Sequence, residues 1–346
     1  MPSFHTLKVS AVERLHREAV VVSFEVPDSL NKNFVFLAGQ YVTLEVDIKG
    51  QSVRRSYSLC SSPSEKTLQV GVKEVSNGVF STYVNQHLKV GHVLKVSEPE
   101  GRFIYDSSQH KGSVLAIAAG SGITPVFSIL KQFLKEEKTA SFRLLYGNKS
   151  PKQTMFYDEL LALEKAHPNQ LKIHWVFSQS SEEDAIFGRI NAATLNFVLK
   201  QDPQTPEQVY LCGPEAMIHT SKEHLIESGI SKETIHFELF TASTDTKEVE
   251  NPAEKGRLTL LCDEVTHDLE LVTGKTLLDI ALNAKLEVPY SCQGGVCSSC
   301  IARVKKGKAS MLTNQILTDS EVEEGLVLSC QAIAQTDFIF LDFDDV

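Results

Sequence analysis

Cys292-Gln293-Gly294-Gly295-Val296-Cys297-Ser298-Ser299-Cys300 decides how the end of this chain must fold. The cysteines are spaced C-x₄-C-x₂-C, and a fourth, Cys330, follows at a distance. That is the plant-type spacing of a [2Fe–2S] ligand set. Four thiolates must converge on a small inorganic core. Gly294 and Gly295 let the backbone wrap closely and aim N–H groups at anionic sulfides. The apolar run Leu326–Leu328 reads as a strand that returns Cys330 from far along the chain. Zinc is the rival metal, but structural zinc sites pair two short C-x₂-C knuckles and only one is present. Four unrelated thiols is the plainest alternative, and it leaves the spacing unexplained. Cys292, Cys297, Cys300 and Cys330 are therefore the expected metal ligands, with one-electron transfer as their chemistry.

Working outward, the cysteine loop needs a small α+β domain around it. Residues 257–262 and 267–272 read as a hairpin, 276–285 as a helix, and 326–329 and 337–342 as late strands. Before them, residues 241–256 (TASTDTKEVENPAEKG) are nearly all small, polar or charged and read as a linker. Further upstream the texture is βαβ. Val114–Ala119 is a continuous apolar run, as in a parallel strand covered on both faces. Glycines follow, then a helix whose Val126, Ile129, Leu130, Phe133 and Leu134 share one face. Strand 142–146, helix 154–165, strand 172–177, strand 208–212 and a helix from about 214 continue the alternation, predicting a parallel sheet with helices on both sides. Residues 1–106 read as short strands punctuated by Pro27, Gly39, Gly50, Gly78 and Gly91, the pattern of a β-barrel. The expected division is 1–106 barrel, 107–240 α/β domain, 241–256 linker and 257–346 α+β domain.

The composition suits this. A chain of 346 residues has room for two or three domains. With 34 basic and 44 acidic residues its formal charge is −10, which argues against nucleic acid or an anionic membrane surface as partner. The start, MPSFHTLKVS, lacks a basic region followed by an apolar stretch, and no run approaches eighteen apolar residues. A cytoplasmic location is expected. Seven cysteines in such a chain point to metal ligands or functional thiols before disulfides.

Two further constellations carry chemistry. Arg55-Ser56-Tyr57-Ser58 supplies a cation, a flat ring and hydroxyls in sequence. On a strand, Arg55 and Tyr57 share one face and Ser56 and Ser58 the other. Asn77-Gly78-Val79-Phe80-Ser81-Thr82 reads as a turn opening a helix, suited to a pyrophosphate. Gly120-Ser121-Gly122-Ile123-Thr124-Pro125 sits between a buried strand and its helix, where a dinucleotide-binding turn belongs. Pro125 replaces the third glycine of the usual fingerprint and is tolerated in a first helical turn. Tyr146-Gly147-Asn148-Lys149 and Cys212-Gly213-Pro214, followed by Met217, end two other strands of the same sheet, so three strand ends form one crevice. Taken alone, each motif also fits an ordinary turn or packing role. His236 reads as packed or exposed, not catalytic. Gly274-Lys275-Thr276 lacks a P-loop's first glycine, since Leu269 stands there. Asp319, Glu321, Glu323 and Glu324 read as a solvated helix, with a docking patch for a basic partner as the sharper alternative.

Together RSYS, GSGITP, LCGPEAM and the cysteine run resemble the ferredoxin–NADP⁺ reductase superfamily along almost the whole chain. The resemblance implies an antiparallel β-barrel FAD domain, a doubly wound α/β NAD(P) domain and a β-grasp ferredoxin domain. It implies FAD, a [2Fe–2S] cluster and NADPH (or NADH) as cofactors. By position it places Ser58 near the flavin N5 with Tyr57 along the isoalloxazine or ribityl chain, and Arg55 and the turn at Gly78, Phe80, Ser81 and Thr82 on the pyrophosphate. Ser56, Val72, Lys73 and Glu74 fall near the FAD. Gly120, Gly122, Thr124, Pro125, Tyr146, Gly147, Asn148, Gly213, Pro214 and Met217 fall around the nicotinamide nucleotide. Ser58, Cys212 and Glu238 are the expected catalytic set, with Phe240 covering the flavin. Ser178-Gln179 stands where many NADPH-specific relatives place a Ser-Arg pair, so NADPH is favoured without being fixed.

The implied activity is an NAD(P)H oxidoreductase: nicotinamide to FAD to cluster, then out to a partner. Local wording such as RRSYSLC, AIAAGSGITP and PYSCQGGVCSSC is similar to the reductase components that feed diiron oxygenases. Other acceptors, an aromatic-ring hydroxylase or a hybrid-cluster protein, fit the same modules. A redox-sensing protein without turnover is the reading from another class.

Overall fold

Buried apolar residues two positions apart, such as Leu7 and Val9, Val20 and Val22, and Val42 and Leu44, lay down the first sheet. In this computed structural model, which describes residues 3–201, 204–240, 253 and 255–346, six antiparallel strands pair in the order β4-β3-β6-β1-β2-β5. They are β1 (Phe4–His16), β2 (Ala19–Glu25), β3 (Tyr41–Ile48), β4 (Gln51–Ser58), β5 (Leu68–Lys73) and β6 (Val93–Ser97). Two register shifts in β1, at Val9/Ala11 and Arg14/His16, bend the longest strand. A bridge between Leu59 and Val70 joins the two edges and curls the sheet toward a barrel. Leu7, Val9, Val20, Val22, Val42, Leu44, Val70 and Val96 fill the inside. Helix α1 (Val79–Gln86) plugs this core with Phe80 and Val84.

The second sheet is wholly parallel in the order β10-β9-β8-β7-β11-β12. Its strands are β7 (Val114–Ala119), β8 (Phe142–Asn148), β9 (Leu171–Phe177), β10 (Ala185–Phe187), β11 (Gln208–Cys212) and β12 (Ile235–Glu238). Helices α2 (Ile123–Glu136), α3 (Tyr157–Ala166), α4 (Ala192–Gln201) and α5 (Glu215–Glu227) make the connections. All five residues expected on the inner face of α2 are buried against Ala116, Ala118, Leu144 and Tyr146. Leu115, Ile117 and Leu145 alternate to the opposite face and are buried as well, as helices on both sides require.

The third sheet runs β14-β13-β19-β15-β17, with β13 and β19 parallel. It comprises β13 (Arg257–Cys262), β14 (Val265–Glu270), β15 (Ile301–Lys306), β17 (Leu326–Leu328) and β19 (Phe338–Asp342), with a small pair β16 (Ala309–Met311) and β18 (Ala332–Ala334). Helices α6 (Leu277–Asn283) and α7 (Asp319–Glu323) each open on a threonine capping box. Leu258, Leu260, Leu277, Ile280, Leu328, Ile339 and Leu341 form a separate core.

Phe4–Glu238 forms one compact unit, so the barrel and the parallel sheet belong together. Leu239–Val346 falls in a second unit. The expected linker lies outside the described residues apart from positions 253, 255 and 256. Element boundaries shift by a few residues, and two of the shifts have a visible cause. The hairpin's second strand is Val265–Glu270, because Asp263 and Glu264 alone make the turn, with φ of 50° and 62°. Helix α3 starts at Tyr157, since Phe156 is left-handed at φ 59° and stacks on Phe127. Among the described residues no helix is long and apolar enough to cross a membrane.

Candidate functional site

β4 ends where two secondary structures from different sheets meet. Ser58, its last residue, is buried and its hydroxyl donates to Glu238 Oε2 at 3.0 Å. Glu238 ends β12 and pairs in register with Cys212, the end of β11. The three residues expected to be catalytic therefore come from one point in the fold. The Glu238 residue keeps some open surface, yet protein surrounds its carboxyl, and burial pushes its pKa up to about 8 against the pull of the Ser58 hydrogen bond. Cys212 is fully buried, and burial with the neighbouring Glu238 holds its thiol well above the usual range. Its thiol stays neutral, and a neutral thiol is a poor nucleophile.

On the other face of β4 the Tyr57 ring lies 5.6 Å from Phe80 of α1, tilted by 38°. Arg55 is exposed and donates to the Arg54 carbonyl at 2.6 Å. Ser56 Oγ lies 3.3 Å from Thr43 Oγ1. The turn into α1 is held from within: Ser81 Oγ accepts from the Val75 amide at 3.1 Å. A Cβ on Gly78 would stand 2.5 Å from that oxygen. Ser81 is thus committed to shaping the turn, while the first N–H groups of α1, at Val79 and Phe80, lack helical partners. Val72 gives its carbonyl to Asn85, and Glu74 accepts from Gln86.

Lys73 reaches beyond its own strand. Expected near the FAD, its ammonium nitrogen lies 3.8 Å from where a Cβ on Gly120 would be. It reaches from the barrel to the turn after β7. Burial, with Lys149 nearby, lowers its pKa, while Glu18 opposes the shift.

That turn is shaped by close approach. Gly120 is left-handed at φ 56°, and its carbonyl accepts from the Tyr146 hydroxyl at 2.9 Å. A Cβ on Gly122 would run into the Cys212 carbonyl oxygen. One on Gly213 would stand 2.7 Å from Met217 Cε, and one on Gly147 3.0 Å from Ile190 Cδ1. Thr124 is buried and donates to the Ser121 carbonyl at 3.0 Å. Its methyl is accommodated by Gly71 of β5, where a Cβ would be 2.7 Å away. Pro125 sits in the first turn of α2, and Pro214 precedes α5. The Ser178 and Gln179 amides donate to the Asn148 and Lys149 carbonyls at 3.0 and 2.9 Å, tying two strand ends together. The Asn148 amide oxygen is buried and has no hydrogen-bond partner among the described residues. A crevice with glycine walls, a lysine, a buried polar amide and a helix N-terminus fits a dinucleotide phosphate. Phe240 is 38% exposed and belongs to the second unit.

The four cysteines come together. Cys292 interacts with Cys297 and Cys330, and Cys300 with Cys297 and Cys330, so the thiols of all four lie close together. Four convergent thiols would hold a [2Fe–2S] cluster of the plant type. The contacts from Cys297 and Cys330 hold Cys292 far below the usual thiol range, and the same contacts push Cys297 and Cys330 up. The Gly294 amide donates to Cys292 Sγ at 3.3 Å. Cys292 is partly open, and the other three are buried. Two positions escaped the sequence reading. Gly71 carried a signal, a lone glycine inside a strand, which marks close approach. Gln331, beside the fourth cysteine, carried none.

Known proteins match along the whole chain. An oxidoreductase FAD-binding domain matches residues 6–105, an oxidoreductase NAD-binding domain 116–223, and a 2Fe-2S iron-sulfur cluster binding domain 260–335. A component of the 1,2-phenylacetyl-CoA epoxidase of Escherichia coli K12 is 36% identical, covering 99% of each chain. The chain belongs to the ferredoxin–NADP⁺ reductase superfamily, in the branch that carries a C-terminal 2Fe-2S domain. The ferredoxin reductase component of the 3-ketosteroid-9-alpha-monooxygenase of Rhodococcus rhodochrous is 33% identical to this reductase, over 97% of this chain and 96% of its own. Among solved structures, phthalate dioxygenase reductase, described as a modular structure for electron transfer from pyridine nucleotides to [2Fe-2S], superposes with a TM-score of 0.64. It is 26% identical and covers 99% of this chain and 98% of that one. The reductase is thus an NAD(P)H-using oxidoreductase with FAD, NAD and 2Fe-2S domains, of the kind that serves oxygenases.

Proposed function

We propose that this reductase carries electrons from NADPH, with NADH as the alternative donor, through FAD and the [2Fe–2S] cluster to a diiron oxygenase of the phenylacetyl-CoA epoxidase type. The observation that carries this is the 36% identity to the epoxidase component over 99% of both chains. The ketosteroid monooxygenase reductase, at 33%, keeps a second oxygenase acceptor in play. Division of labour follows the chain: residues 1–106 for FAD, 107–240 for the nucleotide, 257–346 for the cluster.

Bound FAD supplies the passage from paired to single electrons, and the bound cluster accepts them singly. The protein's own residues set the stage. Tyr57 and Phe80 offer flat apolar surface to the isoalloxazine, with Arg55 and the first N–H groups of α1 for the pyrophosphate. Gly120, Gly122 and Gly213 admit the nicotinamide nucleotide close to the backbone, and Lys73 and Asn148 meet its phosphate and polar edge. Cys212 and Thr124 press it toward the flavin and exclude water. Ser58 stays oriented by Glu238, whose raised pKa of about 8 keeps its carboxyl protonated at neutral pH.

Reconstitution tests the acceptor. The purified reductase, NADPH and oxygen are combined with a phenylacetyl-CoA epoxidase oxygenase, or with a ketosteroid oxygenase. Substrate-dependent NADPH oxidation with epoxide formation is expected only in the first mixture. Coupling only in the second assigns the other acceptor. Slow turnover of the fully loaded protein with every acceptor, ferricyanide included, contradicts the catalytic reading itself.

A further inference from the structure

The amide of Gln331 lies between the fourth cysteine and the loop that carries the first three. It is buried at 8% exposure. Its Nε2 donates to the Gln293 carbonyl at 3.1 Å and reaches Cys330 Sγ at 3.7 Å, within the range of N–H···S bonds. The Gln293 carbonyl can only accept, so the atom facing it must be the nitrogen, which fixes the amide's orientation. Both N–H groups are therefore used, one on the loop and one on a ligand sulfur.

Two features show that the loop is fitted to this side chain. Gly295 is left-handed at φ 73°, and a Cβ there would stand 2.9 Å from Gln331 Cγ and 3.5 Å from Cδ. The loop is thinned where the glutamine passes. Gln293, the residue it grips, is itself left-handed at φ 54°, an arrangement that a non-glycine residue keeps only when something holds it. The backbone of Gln331 is fixed at both ends, donating to Leu328 and accepting from Leu312 at 2.8 and 2.9 Å. An anchored backbone gives the amide a defined aim.

We infer that Gln331 is a positioning residue for the iron–sulfur centre: it latches the Cys292–Cys300 loop to Cys330 and, through its N–H···S bond, raises the reduction potential of the cluster. The inference rests on the reading of the four cysteines as cluster ligands. A hydrogen bond to a thiolate ligand draws electron density from sulfur and favours the reduced, more negative cluster, and such bonds are among the levers that set these potentials. A donor tied to Cys330 acts directly on its iron, while the backbone amide of Gly294 acts on Cys292.

The test is a redox titration of the full-length protein followed by EPR of the reduced cluster, comparing wild type with Gln331→Met, which has a similar length and no donor. At a fixed poise the variant's reduced-to-oxidised ratio should fall about tenfold, which is about 59 mV for a one-electron couple. The flavin's own titration should not move. A variant that holds its cluster at the wild-type potential overturns the inference. A wild-type protein with no cluster signal after reconstitution defeats the ligand reading instead. Should Gln331→Met fail to load iron, pulsed EPR on reduced protein carrying ¹⁵N in its glutamine side chains decides. The inference expects a ¹⁵N coupling that survives Gln293→Gly; absence of any coupling overturns it.

Discussion

Glu238 is the residue whose chemistry is most sharply set by its place. Its folded pKa, raised to about 8, exceeds the ordinary 4.5, so folding favours the protonated form. The sign follows. This stabilisation is fully present below about pH 4.5 and is lost as pH rises through about 8. Wild-type thermal stability should therefore decline between pH 6 and 9 more steeply than that of Glu238→Gln, which cannot ionise. If Ser58 works only while Glu238 is neutral, stopped-flow bleaching of the flavin band by NADPH should slow above pH 8 in the wild type and stay flat in Glu238→Gln. Parallel profiles would separate the residue from the chemistry. Lys73 yields a different signature. Its ammonium faces the turn at Gly120, and a charge-assisted hydrogen bond is worth roughly 1.5–3 kcal/mol. Lys73→Gln should raise the KM for NADPH about 10- to 100-fold and leave kcat nearly unchanged, the pattern of lost uniform binding. A fall in kcat with KM constant would place Lys73 on the flavin side after all.

At the scale of elements, α1 offers the cleanest prediction. Its opening turn depends on the hydrogen bond from Val75 to Ser81 and on the empty space at Gly78. Gly78→Ala pushes a methyl group against that hydroxyl, and overpacking of this kind costs roughly 1–3 kcal/mol. FAD affinity, measured by fluorescence on titrating the apoprotein, should weaken by about tenfold or more, with the barrel's circular dichroism unchanged. Such elements were legible where apolar pattern and punctuation agreed. β7 was readable because an apolar run ends at Gly120, and α2 because five apolar residues share one face. α4 was not: only Thr194, Leu195 and Val198 are buried in it, too few to make a stripe. β10 is three residues long with none buried, so it carries no apolar signal, and β14, an edge strand with no buried residue, was read two residues late. The cluster loop was legible outright, since ligand spacing is covalent sequence information. The pairing of Ser58 with Glu238, 180 residues apart, could be placed from sequence only through resemblance. The reach of Lys73 toward the turn at Gly120 was not legible, because nothing local says how far β5 carries its last side chain.

For the molecule as a whole, the decisive property is that the cluster's core and the crevice's core are separate sets of residues. Cys300 and Cys330 pack with Leu277, Leu328 and Ile339, and none of these belongs to the clusters built on β7 or on the barrel. Damage in one unit should stay there, since effects at independent sites add. Cys330→Ser removes one thiolate of four and should abolish the cluster's EPR signal. Unfolding of a two-unit chain need not be a single transition. In the wild type, calorimetry should resolve a transition that moves with iron content, and only that one should shift in the variant. NADPH should still bleach the flavin band of Cys330→Ser at close to the wild-type rate, because Ser58, Glu238, Lys73 and the glycine turns all lie within Phe4–Glu238. Electron delivery to an oxygenase should vanish, while ferricyanide, which can take electrons from the flavin directly, should still be reduced. Loss of flavin reduction together with the cluster would mean that the order of carriers runs the other way, or that the two units do not work in series.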